Sequence, residues 1–384
     1  MVMNKKKLNI KTITCQDVYN FGASLQAFSL MKYLQEIGHH VQIINYKPDY
    51  LNYDLWSIGP KWDKNIFLKL AYFIYVVPKR LLMSKRREKF DLFTKNRLDI
   101  TNNKYVGYED LKDNPPKADL IFAGSDQIWN PLLPNGKDPS FFLGFVPKET
   151  IKASYAASFS VEKIPDSSVG FMKAMLQSFD IISVRERSGI KLLQNLGIDN
   201  GTAVLDPVYL LDRKYWEKEA DFKINENEEY IFIYDQENNA KIKEAALFLS
   251  KKYGLKIYAI ESLYPMSYAD KRVRDAGPSE FLGLIKNSKI CLTNSFHCIS
   301  FSLIFEKEFY LFRRTHMKVN SRMLDLLDYL DLKDRIAKKD ISSLNLDKIK
   351  YSRVNELLDK RRKMSYDFLD EAIQLAVEKK KNES

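Results

Sequence analysis

The sequence predicts an α/β protein made of two Rossmann-like, parallel-sheet domains that face a central cleft. The 384 residues fit two domains of ordinary size. The first 46 residues alternate strand, helix and strand, and a second such series starts at residue 229. Apolar residues make up 45% and charged residues 29% of the chain, which excludes a disordered or fibrous protein.

The domain boundaries follow from where this alternation stops and restarts. VLDP (204–207) interrupts the first series. We therefore expect an N-terminal domain over 1–205 with a helical basic insertion at about 61–100, and a C-terminal domain over 206–350. A C-terminal helix with a basic tail over 351–384 is expected to pack back across the cleft.

The first domain opens with a βαβ unit. LNIKTIT (8–14) predicts a strand, ASLQAFSLMKYLQEIG (23–38) a helix that ends at Gly38, and HVQIINY (40–46) a second strand. Such a unit favours a parallel sheet with helices on its faces.

The rest of the first domain continues this pattern. A strand ends at Ala123 and opens into a polar loop, and IKASYAASFS (151–160) predicts the next strand. A helix is expected near 167–179, and DIISVRERSGIKLLQNLGI then predicts a strand, a turn and a helix.

The second domain repeats the alternation. Its strands are predicted at 229–236, 256–262, 289–295 and 308–312. Its helices are predicted at 238–253, 278–287, 298–306 and about 320–330, followed by a terminal helix at 351–380. Ligands of open α/β sheets bind at the carboxyl ends of the strands, so the loops there are the candidate site.

The net charge of +11 is concentrated in KRLLMSKRREKF (79–90) and KRRK (360–363), with a further group at the C-terminus. The first cluster follows IFLKLAYFIYVVP (66–78), which is too short to span a bilayer. Two interpretations stay open: a buried helix with a solvated basic flank, or an amphipathic segment lying on an anionic membrane surface. No nucleic-acid partner is expected, because no reading helix, zinc finger or RNA-binding signature is present.

The cysteines and the N-terminus bear on the compartment. Cys15, Cys291 and Cys298 are an odd number without CxxC or Cys/His spacing, which argues against a disulfide framework or a structural zinc site. The basic start of the chain is followed by an interrupted apolar stretch without a small-residue cleavage site. A cytoplasmic protein is expected.

Polar side chains recur where predicted strands end. They follow four strands, and they are Asn20, Gly22, Ser125, Asp126, Gln127, Arg185, Glu186, Ser295 and His297. Each also has a structural interpretation, as a turn glycine, a loop or helix cap, or a surface ion pair. Their common placement at strand carboxyl ends favours a ligand site over these separate explanations.

Six short strings in these loops resemble one known family. They are NFGASLQAFSLMKYL, FAGSDQIWNP, SYAASFS, ISVRERSG, VLDP and NSFHCISFSLIF. In this order and at these separations they resemble the polysaccharide pyruvyl transferase family over about residues 10–330, with GSDQIWNP and the SFH element the most specific.

The resemblance implies a fold similar to the two-domain glycosyltransferases of GT-B type. It implies transfer of the pyruvyl group of phosphoenolpyruvate onto two hydroxyls of a sugar, as a cyclic ketal. The acceptor is expected on a cell-surface glycan or its lipid-linked precursor. Phosphoenolpyruvate is then the donor substrate, and neither a cofactor nor a metal is expected.

Such a donor carries a carboxylate and a phosphate, so its site needs cations and backbone N–H groups. Arg185 is the expected anion clamp. His297, which stands where the family has a second-domain histidine, is the expected acid or phosphate contact. Asp126 is the expected base for an acceptor hydroxyl, or else it orients His297 or Arg185.

Further candidates lie near the last predicted strand. Asn320 and Arg322 belong to NSRMLDLLDYL, which also resembles a family element, and Arg313 and Arg314 directly follow the strand. Cys298 stands where the family commonly has glycine; it either narrows the pocket or is an inert helix thiol.

Two other function classes stay open on the sequence alone. One is a GT-B glycosyltransferase that uses a nucleotide sugar, which would share the architecture. The other is a non-catalytic protein that binds or assembles glycans. The oligomeric state is not predicted.

Overall fold

The structure, a computed structural model, describes residues 7–51, 64–224, 228–261, 265–315 and 320–382. The chain divides into two compact units. Unit 1 comprises Met1–Asp63, Thr94–Leu210 and Asp359–Ser384. Unit 2 comprises Lys64–Phe93 and Leu211–Leu358.

The units divide after Leu210, where the prediction had residue 205, and they differ from the predicted boundaries in two further places. Residues 64–93 group with unit 2 because Lys89 binds Glu280 there, with Nζ 2.7 Å from Oε1. The last helix groups with unit 1 from Asp359 onward, where Arg362 Nε donates to Tyr209 O over 2.8 Å. The basic start of the chain and residues 61–63 of the predicted insertion lie outside the described residues.

The strands form two parallel five-stranded sheets and one short parallel pair. Unit 1 contains β1 (Asn9–Ile13), β2 (His40–Tyr46), β3 (Ile100–Tyr105), β4 (Leu120–Ala123), β5 (Ile151–Ser154), β6 (Ile182–Val184) and β7 (Gly201–Ala203). Unit 2 contains β8 (Tyr230–Tyr234), β9 (Lys256–Ile260), β10 (Lys271–Val273), β11 (Ile290–Thr293) and β12 (Glu308–Leu311). The strand orders are β3-β2-β1-β4-β5 and β10-β9-β8-β11-β12, and β6 pairs with β7. Two parallel sheets confirm the predicted fold class.

The helices connect and cover these sheets. They are α1 (Phe21–Glu36), α2 (Ile66–Tyr75), α3 (Val77–Leu82), α4 (Ser84–Arg97), α5 (Tyr108–Asp113), α6 (Asp166–Leu176), α7 (Arg187–Asn195), α8 (Arg213–Glu219), α9 (Ala240–Tyr253), α10 (Pro278–Lys286), α11 (Phe296–Ile304), α12 (Ser321–Tyr329) and α13 (Tyr351–Asn382). Within the described ranges, none of them is both long enough and apolar enough to cross a bilayer.

Each unit has its own hydrophobic core. In unit 1 the fully buried Trp129 stacks on Phe142 at a centroid distance of 5.7 Å and donates from Nε1 to Phe141 O over 3.0 Å. In unit 2 all residues of the central strand β8 are buried. A rigid core in each unit fixes the loops at the strand ends.

Several element ends differ from the prediction, among them those of α1 (Phe21–Glu36, predicted at 23–38), and two of the differences have a clear local reason. The predicted strand 151–160 stops at Ser154, because Ala156 and Ser160 adopt positive φ angles of 50° and 52° that no strand continues through. The predicted helix 298–306 starts at Phe296, since Ser295 is already its N-cap.

Candidate functional site

In both five-stranded sheets the chain adds strands first on one side of the central strand and then on the other. The chain builds outward on one side of β1 with β2 and β3, then returns to the other side with β4 and β5. Unit 2 repeats this around β8 with β9 and β10, then β11 and β12. The loops after β1 and β4, and those after β8 and β11, therefore flank topological switch points, where open α/β sheets bind ligands.

A glycine shapes the loop after β4. Gly124 has a φ of +119°, and a Cβ there would lie 2.4 Å from the backbone oxygen of Tyr155, so only glycine fits. Asp126 follows in the left-handed region with a φ of 72°, which aspartate tolerates better than most residues. The turn buries Ser125 and leaves the Asp126 side chain 20% exposed.

Arg185, directly after β6, holds this loop against the VLDP segment. Its Nη2 donates to Ser125 Oγ over 2.6 Å and lies 2.9 Å from Asp206 Oδ2. Its Nη1 lies 3.8 Å from Asp126 Oδ1. The Arg185 side chain is 2% exposed and that of Asp206 is 0% exposed, so this is a buried ion pair and not the surface pair considered above. Removing either partner would leave a buried charge uncompensated.

The terminal helix α13 fixes the segment that carries Asp206. Ser365 Oγ accepts from Leu205 N over 2.9 Å, and Arg361 Nη1 donates to Ala203 O over 3.2 Å. Asp206 itself accepts from Val208 N over 3.1 Å. Part of the basic KRRK run thus positions the acidic partner of Arg185.

The loop after β1 joins the same network through neutral groups. Thr14 Oγ1 donates to Ser125 O over 2.9 Å, and Gln26 Oε1 accepts from Ser125 N over 3.2 Å. Asn20 caps α1 by accepting from Ala23 N over 3.2 Å. Gly22 is buried in the first turn of α1.

Glu186 and Gln127 serve neighbouring loops. Glu186 is buried, and its Oε1 accepts from Ser158 Oγ, Phe159 N and Ser160 N over 3.0, 3.0 and 3.1 Å. Gln127 Oε1 accepts from an Asn130 amide, and Gln127 O accepts from an Asn135 amide. The hydrogen bonds of Glu186 and Gln127 within the protein therefore stabilise the neighbouring loops.

The switch point of unit 2 is built on a buried amide and a buried carboxylate. Asn294 Nδ2 donates to Asp235 Oδ1 over 2.6 Å, and Asn294 Oδ1 accepts from Gln236 N over 2.9 Å. Thr293 Oγ1 donates to Tyr234 O over 2.6 Å. The loops after β8 and β11 are therefore tied to each other.

His297 is the second residue of α11, directly after this switch point. Ser295 caps the helix by accepting from Cys298 N over 3.5 Å. The His297 ring meets the Phe296 ring edge to face at 5.2 Å, and the Arg322 guanidinium lies 5.4 Å from the Phe296 ring centroid. An imidazole and a guanidinium thus occupy the start of a helix, where the backbone dipole favours anions.

Arg314 also reaches this loop. Its Nε donates to Asn294 O over 3.2 Å. Asn320 holds the backbone of Arg314 on both sides, accepting from its N over 2.8 Å and donating to its O over 3.1 Å. Arg313, in contrast, is exposed. Asn320 thus supports Arg314.

One cation of the 79–90 cluster is internal. Arg86 is buried beside Tyr234, the last residue of β8, with its guanidinium 5.9 Å from the Phe90 ring centroid. Burial lowers the pKa of Arg86, while the Tyr234 hydroxyl opposes that shift. Burial raises the pKa of Tyr234, and the nearby positive charges of Arg86 and Arg314 partly offset this by lowering it. Part of the cluster is therefore not the solvated flank considered above.

Cys298 packs inward from α11. It is fully buried beside Cys291, and burial raises the pKa of its thiol well above the ordinary value. A thiol that does not ionise is a poor nucleophile. These features are those of the inert helix thiol expected as one alternative.

The predicted residues thus fall into two groups. Ser125, Asp126 and Arg185 meet in unit 1, and Ser295, His297 and Arg322 gather around the start of α11 in unit 2. That the two groups share one cleft stays a prediction. Within the described part of the chain, His, Cys, Asp and Glu side chains form no group of three or more suited to a metal ion.

Sequence reasoning missed four polar residues. They are Arg86, Asp206, Asp235 and Asn294, all buried in the structure. For Asp235 and Asn294 a signal was present, since each directly follows an apolar strand. Asp206 lies in the VLDP string quoted above, but its pairing with Arg185, like the contact of Arg86 with Tyr234, joins segments distant in the chain, which no local pattern reveals.

Comparison with protein families decides the assignment. Residues 20–316 match the family described as polysaccharide pyruvyl transferase. The chain belongs to this family. The match includes every predicted site residue except Asn320 and Arg322, which lie just beyond it.

Solved structures add distant similarities. The chain is 11% identical to UDP-N-acetylglucosamine 2-epimerase from Rickettsia bellii, covering 96% of this chain and 98% of that one with a TM-score of 0.46. It is 13% identical to the Methanocaldococcus jannaschii UDP-GlcNAc 2-epimerase, with 92% and 93% covered and a TM-score of 0.48. The glycosyltransferase SnogD from Streptomyces nogalater is 10% identical, with 97% and 100% covered and a TM-score of 0.44. A search of curated proteins finds no significant match.

Proposed function

We propose that this pyruvyl transferase moves the pyruvyl group of phosphoenolpyruvate onto two hydroxyls of one sugar, forming a cyclic ketal. The sugar belongs to a cell-surface glycan or its lipid-linked precursor. The observation that carries the proposal is a buried guanidinium, Arg185, held against the Ser125–Asp126 loop in a chain of this family. The reaction takes place in the cytoplasm and needs no cofactor besides the donor.

The reaction balances without a redox partner. A proton adds to the methylene carbon of the donor, and C2 becomes electrophilic. One sugar hydroxyl bonds to C2, the C2–O bond to phosphate breaks, and the second hydroxyl closes the ring at C2. Of the two hydroxyl protons released, one replaces the proton delivered to the methyl group and the other leaves with phosphate or solvent.

Unit 1 supplies the proposed base. Asp126 has a partly exposed carboxylate on a loop whose backbone is fixed by Gly124 and Ser125, so its position is defined before a sugar binds. Arg185 is committed to Asp206 and Ser125 through Nη2. We therefore assign Arg185 to holding the loop through Nη2, and we propose that its Nη1, on the side of Asp126, makes the anion contact expected of this residue.

Unit 2 supplies the proposed acid and anion contacts. His297 lies in the first turn of α11 and is the proposed acid, since histidine is the side chain that most often transfers protons in catalysis. Arg314 and Arg322 bring cations toward the same turn, through Asn294 and Phe296 respectively. Cations and helix N–H groups are the donors that phosphate and carboxylate oxygens require.

A donor and acceptor screen tests the proposal. The full chain is incubated with phosphoenolpyruvate and a panel of free and lipid-linked sugars, and phosphate release is measured with the product mass. We expect phosphate and a product equal to the sugar plus pyruvate minus one water, in equal amounts. His297→Ala should slow the formation of both by about 10²–10⁴-fold, while Leu247→Ala, at an exposed position on α9, should leave both unchanged.

Two results would overturn the proposal. Turnover with a nucleotide sugar and none with phosphoenolpyruvate would indicate a glycosyltransferase. Binding of a sugar that persists in His297→Ala, with no turnover of any donor by the unaltered chain, would indicate a protein that assembles glycans without catalysis.

A further inference from the structure

Exposed large apolar side chains are concentrated in one short part of unit 2. Within the described residues, most of them lie on α2 and α3, between residues 66 and 82. Ile66, Phe67 and Leu70 are 72%, 80% and 59% exposed. Soluble proteins rarely leave such a contiguous patch in water unless it binds something.

The exposed side chains form one face of α2. Ile66, Phe67, Leu70, Phe73 and Ile74 are spaced at i, i+1, i+4, i+7 and i+8, which places them on a single stripe of the helix. All five are exposed. The stripe is therefore a solvent-exposed apolar face of the helix.

The opposite face of α2 is already docked. Tyr72 is 1% exposed and is one of the largest fully buried side chains in the described residues. The helix is thus packed inward on the face that carries Tyr72, while its apolar stripe is on the exposed face. Leu81 and Leu82 extend the exposed apolar surface into α3.

Basic side chains flank this surface in the chain. Lys64 precedes Asn65, the N-cap of α2, and Lys85 is the second residue of α4; both are exposed. Arg87 is half-buried in the same turn of α4, beside the exposed Glu88. Arg86 and Lys89 of the same run are used internally, at Tyr234 and Glu280. Lys64 and Lys85 are therefore exposed positive charges on the segments that precede and follow this apolar surface in the chain.

We propose that the α2 stripe, flanked by Lys64 and Lys85, is a site that attaches this protein to the surface of an anionic lipid bilayer. The stripe lies in the plane of the interface, with its apolar side chains among the acyl chains and its cations at the headgroups. A ten-residue helix is about 15 Å long, half of what a bilayer core needs, so it lies on the membrane and does not span it. These exposed charges favour a lipid surface over a second copy of this basic chain, whose own charges would repel them.

Vesicle sedimentation tests this site separately from catalysis. The full chain is mixed with vesicles of phosphatidylcholine alone or of phosphatidylcholine with phosphatidylglycerol, and the bound fraction is measured. We expect binding to the anionic vesicles that weakens as salt is raised, and little binding to the neutral ones. Phe67→Ser with Leu70→Ser should weaken binding by at least about tenfold, and Lys85→Gln by roughly fivefold.

A matched variant controls for surface hydrophobicity in general. Leu132→Ser with Leu247→Ser removes two leucines that are 67% and 44% exposed elsewhere, and should leave vesicle binding unchanged. Equal loss in this control, or equal binding to neutral vesicles, would overturn the proposal. So would a lipid-independent dimer that Phe67→Ser with Leu70→Ser converts to a monomer. Turnover of a soluble acceptor should be the same in all these variants, so failure here leaves the proposed reaction standing.

Discussion

The switch points of the two units have the same topology and opposite chemistry. In unit 1 the loops after β1 and β4 surround a buried ion pair between Arg185 and Asp206. In unit 2 the corresponding loops are joined by the Asn294–Asp235 and Thr293–Tyr234 hydrogen bonds, and Arg314 donates to the backbone of Asn294. The same topology therefore holds a buried ion pair in unit 1 and a helix start with a histidine in unit 2.

The difference leads us to expect that the buried groups of unit 1 mainly stabilise a loop, and that those around α11 mainly contact a ligand. A buried ion pair is rigid and expensive to disturb, which suits a loop that must hold Asp126 in place. A helix start that carries a buried histidine offers N–H groups and a ring nitrogen to an anionic ligand. Substitutions in unit 1 should therefore reduce stability first, and substitutions around α11 should reduce turnover first.

The largest loss of stability is expected for Arg185→Ala. It leaves the fully buried Asp206 carboxylate without its cation, at a cost of about 3–5 kcal/mol in the free energy of unfolding. Urea denaturation measures this. Arg187→Ala, two residues later and exposed, is the matched control and should cost less than about 1 kcal/mol. If Arg185→Ala and Arg187→Ala are equally stable, the Arg185–Asp206 ion pair does not stabilise unit 1 as expected.

The next effect is expected for Gly124→Ala. The added methyl group would meet the backbone oxygen of Tyr155 and occupy a φ of +119°, which together should cost about 3 kcal/mol. Gly170→Ala, in α6 with nothing near its Cβ position, should instead stabilise the protein by about 0.5–1 kcal/mol. Thermal unfolding separates the two, and destabilisation by both variants alike would contradict the steric argument.

A smaller loss is expected for Glu186→Ala. The substitution removes the acceptor of the buried Phe159 and Ser160 amides, which should cost about 1–3 kcal/mol. Glu186→Gln keeps an acceptor oxygen in the same place and should recover most of this. If phosphoenolpyruvate affinity falls strongly in Glu186→Gln while stability is retained, the residue contacts substrate and is more than a loop support.

The smallest effect is expected for Ser295→Ala in unit 2. Loss of the cap on α11 should cost about 0.5–1 kcal/mol, because the bond to Cys298 N is long at 3.5 Å. Ser295→Asp retains a capping oxygen and should restore stability. A drop in turnover that Ser295→Asp also fails to restore would show that the hydroxyl has a role beyond capping.

Local sequence patterns predicted most of the fold. The strand at 40–46 has the predicted bounds. The apolar runs that end at Ala123 and lie in KICLTNS correctly predicted β4 and β11. The polar edge strand β3 (ITNNKY) was not predicted, because its middle residues are exposed and show no alternation of apolar and polar side chains. The short edge strand β10 (KRV) offered too few residues for any pattern.

The candidate site was predicted less completely than the fold. Residues that follow an apolar strand, such as Ser125, Arg185 and His297, could be located from local order alone. Their partners could not, because Asp206 comes to Arg185 through packing of α13 on the VLDP segment, and Arg86 comes to Tyr234 through docking of α4. Such contacts are set by tertiary packing, which leaves no short-range signal.

The most direct test of the proposed chemistry is the reaction run in D₂O with phosphoenolpyruvate and an accepted sugar, followed by mass spectrometry of the product. Protonation of the methylene carbon predicts one deuterium in the methyl group of each ketal. His297→Ala should form this product about 10²–10⁴-fold more slowly while binding phosphoenolpyruvate with nearly unchanged affinity. A product that keeps an unsaturated methylene group, or an unchanged rate in His297→Ala, would contradict the account.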